Sequence, residues 1–226
     1  MKYKLILFDA DGTLFDFDKA EKGAFFKTMQ KFGIINGLDL LHRKYDEINK
    51  SIWLDFQGKK ITSDKLRIER FRRLFSLERI ELPAEEISPV YLKNLAKGID
   101  LIPDAEKIVK YFNDKCKVAL ATNGLSEVQR PRFAASALAE YFQHIYISEE
   151  IGFPKPEKQF FDYIFAELPY SDSAIIVGDN LSSDIAGGIN SNIDTCWFNP
   201  QQINNATDIR PTYEIRDLNE LKEIFQ

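Results

Sequence analysis

From about residue 99 onward the chain alternates short apolar runs with stretches of helical length, and this alternation narrows the fold more than any other feature. The runs are Cys116 to Ala121, His144 to Ile147, Ala174 to Val177 and Ile193 to Phe198. Between them lie segments with helical spacing, such as the one carrying Phe160, Phe161 and Ile164 and the one through Ile185 and Ile189. One more strand-like stretch, about Lys4 to Asp9, stands near the beginning. Strands alternating with helices imply a mostly parallel sheet covered on both faces, an α/β fold of the doubly wound kind. In such a sheet the polar groups that follow the strands gather at the carboxyl edge, where ligands bind.

The segment between the first strand and residue 98 has a different texture. Phe25, Met29 and Phe32 make one apolar stripe at helical spacing, and Ile68, Phe71 and Phe75 make another. Gly33, Gly37, Gly58 and Pro83 divide the segment into about four helices, with no strand alternation. The chain thus reads as a core of residues 1–15 and 98–226, with a helical layer of residues 16–97 inserted after strand one. The basic run from Lys65 to Arg73 lies in that layer. It reads as the solvated side of the helix whose other side carries Ile68, Phe71 and Phe75, and less as an anion-binding face.

Composition excludes more than it assigns. With 226 residues, 44% hydrophobic and 29% charged, the chain can bury a sizeable core. A net charge of −5 offers no footprint for nucleic acid or for an anionic membrane surface. The start of the chain reaches Asp9 after four apolar residues, so it does not read as a secretory signal, and no run approaches membrane-spanning length. The expected location is cytoplasmic. Cys116 and Cys196 lack metal-ligand spacing and read as small core residues.

Four polar stations stand at the ends of the strand-like runs. The first is Asp9 with Asp11, followed by Gly12-Thr13. If the backbone stays extended, both carboxylates project to one side, and they ask either for a divalent cation or for one ionised and one protonated acid. Gly12 lets the chain turn away. The second is Thr122-Asn123-Gly124, which offers a hydroxyl, an amide and free N–H groups suited to a phosphate, or simply an ordinary turn. The third is Lys155 between Pro154 and Pro156, a point charge for a phosphate oxygen or a carboxylate. The fourth is Asp179 with Asp184 after Gly178. Beside Asp9 these acids make an oxygen-rich site suited to Mg²⁺, although Asp184 also suits a helix start.

This ordered set, DxDGT, a strand ending in Thr, Lys-Pro and GDxxxxD, resembles the haloacid dehalogenase superfamily over the whole chain. The resemblance implies a Rossmann-like core with residues 16–97 as an inserted helical cap. It further implies that Asp9 is a nucleophile taking a phosphoryl group, that Asp11 is the general acid/base, and that Thr122 and Lys155 hold the phosphate. Asp179 and Asp184 would serve Mg²⁺ together with Asp9 and the main-chain carbonyl of Asp11. The chemistry is consistent: carboxylate attack splits hydrolysis into two steps, and Asp11 would protonate the leaving oxygen and then activate water.

Within the superfamily the chain is similar to the bacterial house-cleaning pyrimidine nucleotidases. The likeness rests on Asn49–Trp53, Asp55–Gln57 and Ile61-Thr62, then on Ile147–Gly152, Ser183–Asn190 and Thr195–Trp197. The implied substrate is a small phosphorylated metabolite, a pyrimidine nucleoside 5′-monophosphate, with no nucleic acid or membrane partner. Trp53 could stack on a base but reads better as a buried tryptophan of the helical layer. The alternatives are a phosphatase of phosphoglycolate or a sugar phosphate, a phosphomutase, or, in a different class, an Asp-phosphorylated signalling module. A dehalogenase fits poorly, because halide leaves without the acid that Asp11 offers.

Overall fold

The computed structural model describes residues 1–225. The chain divides into two compact units, Met1–Phe17 with Ile99–Gln226, and Asp18–Gly98. No described helix is long and apolar enough to cross a membrane.

The first unit is built on a six-stranded, all-parallel sheet. Its strands are β1 (Leu5–Phe8), β2 (Lys117–Thr122), β3 (His144–Ile147), β4 (Ala174–Gly178), β5 (Asp194–Phe198) and β6 (Tyr213–Ile215), in the order β3-β2-β1-β4-β5-β6. The apolar runs are buried on both faces because they alternate between two cores. Ile6, Phe8, Val118, Leu120, Ile175 and Val177 pack on one side, against the helices α5 (Ala105–Asn113) and α10 (Leu221–Ile224) and Phe133 of α6 (Ser126–Ala134). Leu5, Leu7, Ala119, Ala121, Ala174 and Ile176 face the other side, against Phe160, Phe161 and Ile164 of α8 (Lys158–Glu167). The sheet is therefore a doubly wound α/β core. Strand order reverses between β1 and β4, and this is the point at which such sheets leave a crevice beyond their carboxyl ends.

The segments entering and leaving the inserted unit are tied together inside the first one. Asp16 N donates to Asp100 O at 3.0 Å, and Ile102 N donates to Leu14 O at 2.9 Å.

The second unit holds α1 (Phe17–Lys31), α2 (Leu38–Gln57), α3 (Ser63–Glu78) and α4 (Ala84–Leu95), the first residue of α1 belonging to the sheet unit. Gly37, at φ 68°, precedes α2, Gly58 ends it, and the Thr62 side chain caps α3. Their apolar faces meet in an aromatic cluster in which Tyr45 lies 4.7 Å from Phe25, 5.4 Å from Phe71 and 5.6 Å from Tyr91, ring centre to ring centre. Two readings of this unit need correction. Arg70 is not solvated but buried, because Leu66, Arg70 and Leu74 follow one another at intervals of four along the inner face of α3. Its guanidinium sits 5.0 Å from the Tyr91 ring and donates to Arg67 O and Asn49 Oδ1. Trp53 is half-buried rather than enclosed, edge-on to Phe56 at 5.7 Å.

The cysteines are both free: Cys196 is buried in β5, and Cys116 is partly buried just before β2. Burial pushes the Cys116 thiol up to about 11, so neither its surroundings nor its ionisation makes it reactive.

Candidate active site

Asp9 follows the last residue of β1, and its N–H continues the sheet by donating to Val177 O at 2.9 Å. That bond holds it at the reversal point. The chain then closes a tight loop, in which Leu14 N and Phe15 N both donate to Ala10 O and Gly12 N donates to Phe15 O. Gly12 carries φ +82°, and a Cβ there would stand 2.5 Å from Asp179 Oδ2. Glycine is thus required twice, for its left-handed backbone and for the close approach of the loop after β4.

That loop brings in two further carboxylates. Asp179 follows β4, with its carbonyl held by Trp197 Nε1 at 2.8 Å. A π-helical turn, Leu181–Ile185, then carries Asp184 back against the strand end. Asn180 caps this turn through Oδ1, which accepts from Ser182 N and Ser183 N. Asp184 Oδ2 accepts from Asn180 N at 3.1 Å. Gly178 makes room for the return, since a Cβ there would lie 2.4 Å from the Asp184 carboxyl carbon. Asp9, Asp179 and Asp184 each place a carboxylate oxygen within 4.8 Å of the other two.

Lys155 closes the cluster from the side. Its ammonium is buried and donates to Asp9 Oδ1 at 2.6 Å, to Asp184 Oδ1 at 2.5 Å and to Ala121 O at 2.6 Å, which uses all three of its hydrogens. Asn123 fixes the backbone beneath it: Lys155 N donates to Asn123 Oδ1 at 2.8 Å and Asn123 Nδ2 donates to Lys155 O at 2.9 Å. The Asn123 amide is therefore engaged with Lys155 rather than open to a ligand. Thr122 is buried at the end of β2, and its Oγ accepts from Gly124 N at 3.0 Å. The helix after this loop, α6, begins only at Ser126, so the loop N–H groups are not the helix's first turn.

The electrostatics follow from this crowding. Burial drives the Asp9 carboxyl up, the Lys155 ammonium opposes the rise and Asp184 adds to it; the net value is about 7. Burial alone would lower Lys155, but the Asp184 and Asp9 carboxylates outweigh it and hold the ammonium protonated. Asp179 is raised well above the usual carboxylate range by desolvation and by the charges of Asp9 and Asp184. It stands on the solvent-exposed rim of the cluster. With all three acids ionised, one ammonium leaves two negative charges unbalanced. That excess, presented by hard oxygen donors around one point, matches a divalent cation such as Mg²⁺.

Of the four aspartates expected at the site, Asp11 alone does not turn into this cluster. Its Oδ2 accepts from Gln129 Nε2 at 2.6 Å, and its Oδ1 is paired with Arg132 Nη1. Residues not anticipated from the sequence thus surround the predicted ones: Gln129 and Arg132 at Asp11, Asn180 at Asp184, Trp197 at Asp179 and the Ala121 carbonyl at Lys155. The only advance sign of them was position, since each lies within a few residues of a strand end or on the helix after one.

Comparison with known proteins agrees with this geometry. The family model described as haloacid dehalogenase-like hydrolase matches residues 3–192. The chain is 35% identical to the HAD-hydrolase YfnB of Bacillus subtilis, over 99% of this chain and 96% of that protein. A crystal structure of YfnB bound to magnesium superposes with a TM-score of 0.93, at 34% identity and full coverage of both chains. The chain is also 34% identical to pyrimidine 5′-nucleotidase PynA of Streptococcus pneumoniae, covering 98% of this chain and 94% of PynA. It is 32% identical to pyrimidine 5′-nucleotidase YjjG of Escherichia coli, covering 100% and 99%.

Proposed function

The chain belongs to the haloacid dehalogenase-like hydrolase family, and from that premise we propose that it is a Mg²⁺-dependent phosphomonoesterase that works through an aspartyl-phosphate on Asp9 and prefers pyrimidine nucleoside 5′-monophosphates. The observation that carries the reaction is the buried Lys155 ammonium bridging Asp9 and Asp184 at the reversal point of the sheet, with Asp179 at the rim.

Asp9 Oδ1 is held by Lys155, which leaves its second oxygen to attack phosphorus in line with the departing oxygen. Lys155 stays protonated throughout and offsets negative charge where the phosphoryl oxygens gather. The Thr122 hydroxyl accepts from Gly124 N, and its own hydrogen remains for a phosphoryl oxygen. Asn123 acts through Lys155, keeping its backbone in register. Asp11 delivers a proton to the leaving alkoxide and later takes one from the attacking water. The two unbalanced negative charges of the cluster fit Mg²⁺, which Asp9, Asp179 and Asp184 would hold, with the Asp11 main-chain carbonyl as the remaining protein ligand. When bound, it supplies charge neutralisation for phosphoryl transfer.

The substrate reading is supported by PynA and YjjG, two relatives matched end to end and both called pyrimidine 5′-nucleotidases. A kinetic panel with Mg²⁺ tests it: dUMP, dTMP, UMP, AMP, phosphoglycolate and hexose phosphates. A pyrimidine nucleotide is expected to give the highest kcat/KM. A sugar phosphate or phosphoglycolate in first place overturns the nucleotidase assignment and leaves the phosphatase standing. No turnover of any phosphate monoester, 4-nitrophenyl phosphate included, overturns both.

A further inference from the structure

We propose that Gln129 and Arg132 are positioning residues for Asp11: Arg132 anchors one carboxylate oxygen, and Gln129 holds and orients the other, the one that carries the proton to the leaving group. The inference rests on the reading of Asp11 as the acid and base of the phosphatase reaction.

Both residues lie on α6, three positions apart and so on one face of the helix, and both are buried. They take different oxygens of the same carboxylate, Gln129 Nε2 on Oδ2 and Arg132 Nη1 on Oδ1. Two donors on two oxygens fix the plane of a carboxylate as well as its place. The guanidinium is itself fixed, because its central carbon lies 4.3 Å from the centre of the Phe15 ring. Phe15 closes the loop that carries Asp11, donating to Ala10 O and accepting from Gly12 N. Loop and clamp therefore hold each other.

Gln129 is costly as a packing residue. Its Oε1 is buried with no hydrogen-bond partner among the described residues, and a buried unpaired acceptor costs about 1–3 kcal/mol. A methionine or leucine would fill the same space without that loss. Its side chain also presses on the phosphate-side loop, since a Cβ at Gly124 would stand 2.2 Å from Gln129 Nε2. The amide is accordingly placed for what it does to Asp11.

Each donor takes one lone pair of its oxygen, so either oxygen keeps a second site for the proton it exchanges with a leaving group. The Arg132 pair carries charge on both partners and so opposes a proton on Oδ1, whereas the Gln129 amide is neutral. Oδ2, held by the neutral amide, is thus the oxygen that carries the proton, while Oδ1 stays on Arg132 and fixes the direction of the carboxyl. A catalytic group held this way keeps its approach angle, which proton transfer requires.

The test compares kcat/KM, which reports phosphoryl transfer and not the later hydrolysis, for 4-nitrophenyl phosphate and for the best alkyl phosphate of the panel. The aryl group leaves without an acid; the alkoxide does not. Wild type, Gln129→Met, Arg132→Lys, Asp11→Asn and the doubles Asp11→Asn/Gln129→Met and Asp11→Asn/Arg132→Lys are measured with saturating Mg²⁺. General acid assistance is worth about 10²–10⁴-fold, so the alkyl-to-aryl ratio should fall at least about tenfold in Arg132→Lys and about threefold in Gln129→Met. Neither double should lose more than Asp11→Asn alone, because residues that act through Asp11 have nothing left to position. Equal losses on both substrates, or losses that add to that of Asp11→Asn, overturn the proposal. If Arg132→Lys does not fold, the Gln129→Met cycle decides alone. An unchanged ratio in Asp11→Asn itself removes the acid assignment, and that outcome is read from a different variant.

Discussion

Replacing Lys155 by methionine should destabilise the protein in a way that depends on pH and on metal. The ammonium is the only cation bonded to the buried carboxylates of Asp9 and Asp184 among the described residues, and both stay dry, at 7% and 1% exposure. Methionine fills much of the same space and removes all three hydrogen bonds. Removing one partner of a buried ion pair costs about 3–5 kcal/mol, because the remaining charge has no compensation. For a chain of this size each kcal/mol moves Tm by about 2–4 °C, so a loss of about 10 °C is expected near pH 8 in chelator.

The pH dependence follows from Asp9. Its carboxyl already sits near 7 against an ordinary value of 3.8, and without the opposing ammonium it rises further. A raised carboxyl means that the folded state binds a proton the unfolded chain has released. Stability therefore falls as pH rises from about 4 through the folded-state value, and in the variant the fall continues to higher pH. At about pH 5.5 Asp9 is protonated in both proteins, so the gap to wild type should shrink by about 1.4 kcal/mol, the worth of the one pH unit between about 7 and about 8. Thermal and urea denaturation in EDTA at about pH 5.5 and about pH 8 measure it. Equal stability at the higher pH, or a gap that does not change with pH, would refute the account of Lys155 as the counter-charge of this cluster.

Other outcomes are simpler to state. Asp9→Asn should keep the fold and lose turnover, since the amide is nearly isosteric but cannot attack phosphorus; activity well above background takes Asp9 out of the nucleophile's role. EDTA should silence the enzyme and Mg²⁺ restore it, and Asp179→Ala should raise the Mg²⁺ concentration needed for half-maximal rate while barely moving Tm, because that side chain is on the exposed rim. Full activity in chelator sinks the metal assignment. Gly12→Ala should cost about 1–3 kcal/mol, from the φ of +82° and the 2.5 Å approach to Asp179, and should weaken Mg²⁺ as well. An alanine variant with wild-type Tm and Mg²⁺ dependence contradicts the close packing of the two loops.

The doubly wound core was legible because its strands are buried on both faces. Runs such as Leu5–Phe8 and Ala174–Val177 have no polar interruption, and the first polar residue marks the strand end to within a position. That same regularity brought Asp9, Lys155, Asp179 and Asp184 together on paper, since topology alone carries strand ends to one edge. Helix α3 was harder. The triplet Ile68, Phe71, Phe75 describes a narrower stripe than the helix buries, and Arg70 falls inside the band that Leu66 and Leu74 define. A charged residue flanked by charged residues looks solvated in sequence; the aromatic rings of Phe71 and Tyr91 against its guanidinium, with the hydrogen bonds to Arg67 O and Asn49 Oδ1, make the buried position tolerable.

Asp11 shows most sharply what sequence proximity cannot decide. Two aspartates separated by one residue suggest a shared ligand, and that expectation needs the backbone to remain extended beyond the strand. Here the chain leaves the strand direction at Ala10, whose carbonyl closes the turn with Leu14 and Phe15, and Gly12 completes it with a left-handed φ. The two carboxylates are thereby sent to different partners: Asp9 to a lysine and two acids, Asp11 to an arginine and an amide on α6. Neighbours in the chain thus acquire opposite surroundings, one crowded by negative charge and one gripped by donors. A nucleophile and a proton carrier need that difference, since the first must face phosphorus beside a cation and the second must exchange a proton while staying on its anchor.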